Sequence, residues 1–427
     1  MIRPIGVNTI NTPLIESIST QPSRRHALHC LAEFVPRAGQ EYARKRNYDY
    51  GPTGHHHVSK LSPFIRCRAI TESEVVEAVL GTHTLHHAEK FIQEVCWRTY
   101  WKGWLELRPR TWTDYLESLP ALKHAYATNP LYRAAIHGET NSPTFNAFAH
   151  ELTQTGYVHN HARMWMASIW IFTFDLPWQL GADLFFQHLL DGDPASNTLS
   201  WRWVAGQHTR GKCYIARSSN IEKYTEGRLG TAEAFNEQPA GIEAESAPPA
   251  IQSLSADDVA PTTDRIGWIV HEEDLSIDQW LFPETAAPHS IFIMDNRDHH
   301  KNIGLSDKVT AFRNGLLQDF AQRGESFAPD VRHQRSTSEA IRQWIQDTGI
   351  KAVLLARPST GMWQKPVEEA INVLGKLGVT AHQQRHPWDS LCYPHATSGY
   401  FKFKKKIPQF LKPVQRDFEG FFQPRTN

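Results

Sequence analysis

The spacing of apolar residues differs between the two ends of the chain. Towards the N-terminus, apolar residues recur every three or four positions, which predicts amphipathic helices. Such helices are predicted over residues 72–80, 87–107 and 164–176. Towards the C-terminus, short apolar runs alternate with helical patterns, as in a parallel sheet with right-handed crossovers. The runs are residues 266–270, 290–295 and 352–356, and the helical patterns are residues 306–323, 338–348 and 365–377.

The segment between these two parts has the composition of a linker. Residues 229–264 contain no Lys or Arg, seven acidic residues and four prolines, and such a segment buries too little apolar surface to fold alone. The predicted fold class is therefore α + α/β. An all-helical domain (1–228) is followed by the acidic linker (229–264) and by a Rossmann-like parallel-sheet α/β domain (265–427). No GxGxxG follows the first strand, so a nicotinamide site is not indicated.

Composition narrows the class of protein. Among 427 residues, Lys and Arg (45) balance Asp and Glu (45), so binding to nucleic acid has to depend on local patches of charge. Fourteen Trp indicate either a large aromatic core or a role in electron transfer or base stacking. The five cysteines are far apart and form no CxxC pair, which favours reduced thiols without zinc or an iron–sulfur cluster. Neither a membrane span nor a signal peptide is evident, and we predict a cytoplasmic protein with no membrane partner.

Two polar stretches of the helical part have ligand-binding chemistry. In residues 57–63, Ser62-Pro63 is typical of a helix start, where free N–H groups and the hydroxyls of Ser59 and Ser62 suit a phosphate. An ordinary helix cap is the alternative. Further on, Glu94, Trp97 and Arg98 share one helix face, which suits a planar ligand. A salt bridge beside a core Trp is the alternative there.

Two later stretches also concentrate polar side chains. Residues 156–164 include His159 and His161, but no third ligand lies at a helical interval, so no metal site is predicted. The His triplet at 55–57 is likewise interpreted as a polar loop. Residues 191–203 combine two acids, an amide and two Trp. An Asp-Gly-Asp sequence alone would indicate only a turn.

Together and in this order, these stretches resemble the FAD-binding helical domain of the photolyase and cryptochrome family, from about residue 27 to residue 228. The resemblance implies FAD as cofactor. It also implies that Asp191 pairs with Arg163 and that Val58 replaces the usual Thr of the phosphate loop. The residues that it places around FAD are Tyr42, Ser59, Leu61, Ser62, Arg98, Asn160, Arg163, Asp191, Asp193 and Asn197.

The same resemblance assigns three further groups of residues. The pocket that receives a flipped pyrimidine dimer is implied to contain Glu94, Trp97, Met164, Asn197 and Trp203. The electron-transfer chain is implied to be Trp201, Trp178 and Tyr126, with Trp165 and Trp170 as another branch. DNA contacts are implied for Arg46, Trp97, His161 and Trp203, although His161 stands where the family commonly has Arg. Core packing is the alternative for each aromatic residue.

The C-terminal part resembles the family's antenna domain, which normally precedes the FAD domain. Residues 268–275 resemble its opening segment and residues 398–404 its closing segment, so the chain is expected to be circularly permuted. The Asn-x-Glu pattern for an antenna is replaced by Arg357-Pro358-Ser359, which leaves a folate or deazaflavin antenna open. A run of Lys402, Lys404, Lys405, Lys406 and Lys412 suits phosphates or, equally, a solvated edge.

Three functions follow from these expectations. The favoured one is a DNA photolyase that splits pyrimidine dimers by electron transfer from excited, reduced FAD, with dimer-containing DNA as partner. The second is a cryptochrome-like blue-light photoreceptor with a signalling partner, and the third is a flavoprotein with dark redox chemistry. A monomer is expected in each case.

Overall fold

The computed structural model describes residues 21–208, 212–230, 233–239, 249–259, 261, 263, 265–281, 287–295 and 297–413. The first part of the chain is helical, as predicted. Its helices are α1 (Arg24–Phe34), α2 (Gln40–Lys45), α3 (Ser62–Arg66), α4 (Glu72–Leu80), α5 (Leu85–Glu106), α6 (Arg110–Tyr126), α7 (Pro130–His137), α8 (Pro143–Thr155), α9 (Asn160–Ser168), α10 (Trp178–His188), α11 (Pro194–Val204) and α12 (Ser218–Thr225). A π-helical turn, Ile169–Thr173, extends α9.

The second part is built on a five-stranded parallel sheet in the order β3-β2-β1-β4-β5. The strands are β1 (Ile266–Val270), β2 (Ser290–Asp295), β3 (Val331–Arg335), β4 (Ala352–Ala356) and β5 (Thr380–Gln384). The helices are α13 (Ile277–Trp280), α14 (Arg297–Asn302), α15 (Asp307–Gly324), α16 (Ser338–Thr348), α17 (Gln364–Lys376), α18 (Pro387–Cys392) and α19 (Tyr400–Lys404). Strand–helix alternation and parallel pairing confirm the predicted α/β class.

The apolar runs predicted the three central strands of this sheet. β1, β2 and β4 coincide with the predicted runs, and each of their residues is buried. The two edge strands were not predicted, because Val331–Arg335 and Thr380–Gln384 are mostly polar and only partly buried. An edge strand pairs on one side alone, so its sequence needs no continuous apolar run.

Apolar side chains from both parts form one continuous core, which extends from Ala27 to Leu411. Among the residues that the structure describes, no helix is both long and apolar enough to cross a membrane.

The predicted linker lies against both parts in the stretches that the structure describes. Glu233 caps α8, because its carboxylate accepts hydrogen bonds from the Ser142 hydroxyl and from Thr144 N at 2.7 Å. Farther along, Asp258 lies beside β5: its N–H donates to Gln383 O at 3.1 Å and its carboxylate accepts from Gln383 N at 2.7 Å. Acidic side chains therefore fasten this segment, while the domain boundaries at residues 228 and 264 stay a prediction.

Buried ion pairs join the two parts. Arg68 of the helical part contacts Asp274 at 3.2 Å and Asp389 at 2.5 Å, and all three side chains are buried. Arg66 contacts Glu273 at 2.8 Å. The loop after β4 takes part as well, since Thr360 N and Oγ1 both donate to Glu106 Oε2 at 2.8 Å. Because a buried charge is costly without a partner, these pairs hold the two parts in one arrangement.

Candidate functional site

Three helices bring the predicted site residues together, since α11 packs against both α5 and α9. α9 begins at Asn160 after His159, whose ring accepts a hydrogen bond from His161 N. α11 begins with Pro194 after Asp193, whose carboxylate accepts from Ala195 N and Ser196 N. An acid at the cap followed by Pro at the first position is a strong helix start. The second acid of the Asp-Gly-Asp turn thus fixes where α11 begins.

The pairing of Arg163 with Asp191, expected from the sequence, is present. Arg163 Nη1 and Nη2 each lie 3.0 Å from a carboxylate oxygen of Asp191. Arg163 Nε donates to Val158 O at 2.8 Å, and the guanidinium lies over the Tyr157 ring at 5.5 Å. A guanidinium held at both ends has one orientation, so Arg163 is a fixed group on the surface that α9 presents.

A second ion pair joins α5 to the start of α11. Arg98 Nη1 lies 3.0 Å from Asp193 Oδ2. Burial opposes ionisation of Asp193, but Arg98, Lys102 and the Ser196 hydrogen bonds outweigh it and hold the pKa of this carboxyl below its usual value. Within the described part of the chain, Arg98 Nε and Nη2 are buried without a hydrogen-bond partner. These two N–H donors are therefore available to a ligand.

Arg46 and Glu94, which the resemblance assigned to separate roles, form an ion pair. Arg46 Nη1 lies 2.5 Å from Glu94 Oε1. Burial raises the pKa of Glu94 even though Arg46 lowers it in part. Tyr42 is buried beside them, packed edge-on against Phe34 and Phe91. The raised pKa makes Glu94 easier to protonate than an ordinary surface Glu, and a protonated carboxyl can donate a hydrogen bond.

The predicted phosphate loop is tightly turned. Lys60 adopts a positive φ of 53°, and Ser59 Oγ accepts a hydrogen bond from Leu61 N at 3.4 Å. The helix begins at Ser62 as expected, but the alternative interpretation of Ser62 as its cap is wrong. Leu61 occupies the cap position without a side-chain hydrogen bond, and Ser62 is the first residue of α3. Pro63 provides no N–H, so one fewer donor needs a cap.

Before this loop, the chain buries one histidine of the triplet that was interpreted as a polar loop. His55 is 3% exposed, and its Nε2 lies 2.8 Å from Glu151 Oε1 while its Nδ1 lies 3.8 Å from Asp49 Oδ1. Asp49 is held in turn by Arg228 at 3.0 Å and by Gly51 N at 2.8 Å. Carboxylates on two sides offset the cost of burying the imidazole, which a triplet of His in the sequence does not reveal.

Trp97 and Trp203, predicted to line one pocket, have different ring neighbours. Trp203 stacks on Tyr214 with ring centroids 5.9 Å apart. Trp97 stacks on Tyr400 with centroids 3.4 Å apart and an angle of 13° between the planes. Tyr400 belongs to α19, and its hydroxyl donates to Gln93 O at 2.6 Å. One face of Trp97 is therefore covered by the C-terminal part of the chain. Sequence reasoning missed Tyr400, because the two aromatic residues lie far apart in the chain.

Two further predicted site residues, His161 and Asn197, are hydrogen-bonded within the protein. His161 Nδ1 lies 3.0 Å from Asn47 O, its Nε2 lies 3.1 Å from the Tyr214 hydroxyl, and its ring packs on Trp165 at 4.2 Å. Asn197 Nδ2 donates to Ala182 O at 2.8 Å. Met164 is half-buried and Asn160 is exposed.

Trp201 is in contact with the branch residue Trp170. Their ring centroids are 6.3 Å apart. The Trp170 ring lies 6.0 Å from the ring of Tyr132, which in turn lies 6.4 Å from the ring of Tyr126. Trp178 stacks on Tyr115 at 5.8 Å and lies beneath the Arg202 guanidinium. A continuous row of rings thus leads from Trp201 to Tyr126 through Tyr132, a residue that the sequence did not single out.

Comparison with known proteins finds a family match within the helical part. The family described as the FAD-binding domain of DNA photolyase matches residues 91–227. A deoxyribodipyrimidine photo-lyase of Synechococcus sp. is 29% identical over 43% of this chain and 39% of its own length. One of Streptomyces griseus is 30% identical over 47% of this chain and 46% of its own. The chain thus spans less than half the length of these relatives.

Among solved structures, a cryptochrome of Synechocystis sp. is 19% identical, with a TM-score of 0.39 over 48% of this chain and 44% of that chain. The circular permutation stays a prediction. The family match begins within α5, extends past α12 and includes both ion pairs that position the Asp-Gly-Asp turn. Residues 91–227, within the helical part, therefore match the family described as the FAD-binding domain of DNA photolyase.

Proposed function

We propose that this chain is an FAD-dependent, blue-light-driven DNA photolyase that splits pyrimidine dimers. The observation that carries the proposal is the meeting of α5, α9 and α11 around two ion pairs, Arg98–Asp193 and Arg163–Asp191. FAD bound there, in its reduced form and excited by blue light, would supply an electron to the dimer and would take it back once the dimer has split. The residues proposed to hold FAD are Tyr42, Ser59, Leu61, Ser62, Arg98, Asn160, Arg163, Asp191, Asp193 and Asn197.

The available donors fit such a cofactor. The two Arg98 N–H groups without a protein partner and the exposed Asn160 amide are suited to phosphate and carbonyl oxygens. Asp191 fixes the guanidinium of Arg163, and Asp193 fixes that of Arg98, since each carboxylate forms an ion pair with one of them. Asn197 has a fixed amide, because its Nδ2 donates to Ala182 O. The side chains facing the ring system would thus be oriented before FAD binds, which lowers the entropic cost of binding.

The dimer is proposed to bind beside Glu94, with Trp97, Met164, Asn197 and Trp203 as the other pocket residues. Glu94 has a raised pKa and faces Arg46, so it has a proton to donate to a thymine carbonyl more often than a solvated Glu does. Trp97 and Trp203 supply the aromatic surfaces on which a flipped base stacks. A base on the covered face of Trp97 has to replace the ring of Tyr400.

The proposal is tested with the protein reconstituted with FAD. Under blue light and a reductant, an oligonucleotide with one thymine dimer should be restored to two thymines, as chromatography of the DNA shows. Repair should be lost in the dark and in the absence of the reductant. An FAD-loaded protein whose flavin is photoreduced but which repairs no dimer would rule out the photolyase proposal.

A cryptochrome-like photoreceptor is the second candidate. Tyr400 covers Trp97, and His161 is bonded to Asn47 O and Tyr214 instead of being free for DNA. Both observations favour a site that is closed to a flipped base. Photoreduction without repair, combined with a light-dependent change in proteolysis of the chain, would favour this candidate. A folate or deazaflavin antenna stays open for either function.

A further inference from the structure

The C-terminal segment 400–413, here called the basic segment, has a charge unlike that of the whole chain. It contains five Lys and no Asp or Glu, whereas the chain as a whole has 45 residues of each sign. A local excess of positive charge on a neutral protein attracts polyanions at that one surface. The lysines are Lys402, Lys404, Lys405, Lys406 and Lys412.

The basic segment is packed in place along one side. Phe403, Ile407, Phe410 and Leu411 are buried, and Phe403 contacts Phe410 with ring centroids 5.2 Å apart. Before it, Tyr100 donates to Ser398 O at 2.9 Å. Four of the lysines are exposed, while Lys404 lies 3.5 Å from Glu89. The buried side chains thus hold the exposed ammonium groups on a defined surface.

The position of the basic segment indicates what it binds. Its first residue, Tyr400, stacks on Trp97, so the lysines begin within one helical turn of that indole. Phe401 lies among them and is 80% exposed. Lysines interleaved with an exposed aromatic ring suit a nucleic acid, whose phosphates and bases alternate. A membrane surface is less well matched, because most apolar side chains of the segment are buried in the protein and cannot form the broad apolar face of an interfacial helix.

We propose that the basic segment binds the phosphate backbone of DNA beside Trp97, with Lys402, Lys405, Lys406 and Lys412 as the phosphate contacts and Phe401 as a stacking residue. The location beside a lesion pocket rests on the proposed function. Binding to the phosphate backbone does not rest on that function, because it requires neither light, nor FAD, nor a dimer. The two proposals therefore fail independently.

The experiment compares three full-length proteins in the dark by fluorescence anisotropy with labelled, undamaged DNA. The test variant is Lys402→Gln/Lys405→Gln/Lys406→Gln. The control variant is Lys351→Gln/Lys365→Gln/Lys376→Gln, which neutralises three exposed lysines of the α/β part. The test variant should bind about tenfold more weakly at 0.1 M salt, and its slope of log affinity against log salt should be smaller by about 2 to 3. The control variant should match the parent.

Two results would overturn the proposal. One is a test variant with the affinity and salt slope of the parent, or with no greater loss than the control variant. The other is unchanged DNA binding together with loss of co-sedimentation with phosphatidylserine-containing vesicles, which would assign the surface to membranes. Thermal melting of both variants checks that they fold. Photorepair is measured separately. If the test variant repairs dimers normally and its salt slope equals that of the parent, the basic segment does not bind DNA and the photolyase proposal is unaffected.

Discussion

The guanidinium of Arg313, in the α/β part, donates a hydrogen bond at 2.9 Å to the carbonyl oxygen of Gly192, in the helical part. Gly192 is the middle residue of the Asp191-Gly192-Asp193 turn. Arg66 donates to the same oxygen at 3.2 Å, and Arg313 is paired with Glu272 at 2.9 Å. The turn that orients both site carboxylates is therefore held from the sheet side as well as from the helical side.

Replacing Arg313 with Met should weaken both folding and FAD binding. The change leaves Glu272 buried without one of its cations, and removing one partner of a buried pair costs about 3–5 kcal/mol. Urea unfolding and the FAD retained after gel filtration measure the two effects. Arg332→Met is the matched control, since Arg332 pairs with Asp330 and Asp347 at the edge of the sheet and should cost about 1 kcal/mol or less. Equal losses in both variants would contradict the support of the turn by Arg313.

The row of rings from Trp201 predicts which aromatic residue conducts electrons to the flavin. Trp170→Phe should slow photoreduction several-fold, because Trp170 is in ring contact with both Trp201 and Tyr132. Trp178→Phe is the comparison, since Trp178 was predicted as the second donor. Flavin absorbance under continuous blue light gives both rates. If only Trp178→Phe is slow, the electrons leave through Trp178 as the sequence resemblance implied.

Tyr400→Ala should expose the covered face of Trp97. An aromatic pair contributes about 0.5–1.5 kcal/mol beyond its buried area, so dimer-containing DNA should bind about two- to tenfold more tightly once it no longer displaces this ring. Undamaged DNA should bind as before. Tyr400→Phe keeps the stack and should resemble the parent. Weaker binding of dimer-containing DNA to Tyr400→Ala in a folded protein would show that Tyr400 aids recognition instead of competing with it.

Glu94→Gln should reduce repair and leave FAD bound. The neutral amide keeps the size of Glu94 but loses the proton that its raised pKa makes available, and general-acid assistance contributes about 10²–10⁴-fold. Single-turnover repair after a light flash measures the loss. Glu89→Gln, five residues earlier on the same helix, is the control. Repair at the parental rate in a FAD-loaded Glu94→Gln protein would remove Glu94 from the pocket.

His208 should make folding sensitive to acid. Burial, with Arg202 and Arg108 nearby, lowers the pKa of His208 to about 4, against about 6.5 in an unfolded chain. Between these two values His208 is protonated in the unfolded state but not in the folded state, so the free energy of unfolding falls as the pH drops from 6.5 towards 4. Between pH 7 and 5.5 the parent should lose about 1.2 kcal/mol more than His208→Gln. Urea unfolding at the two pH values measures the difference, and parallel losses in parent and variant would refute it.

Local patterns in the sequence were enough to predict the class of each part. Periodicity identified α4 and the strands β1, β2 and β4. A helix with one apolar face has apolar residues at regular intervals, and a fully buried strand is a short continuous apolar run. It did not reveal β3 and β5, whose polar residues become strands only by pairing with a neighbour. The resemblance anticipated the Arg163–Asp191 pair, since both residues belong to one family pattern.

Tertiary structure alone decided what covers the site. Tyr400 reaches Trp97, Arg313 reaches Gly192, and Glu151 reaches His55 across long stretches of chain. No local pattern encodes such contacts, because they depend on how the sheet part docks on the helices and on which buried charges must find partners there. The chemical types of the site residues can therefore be predicted from the sequence, whereas the access of a ligand to them depends on how the two parts pack together.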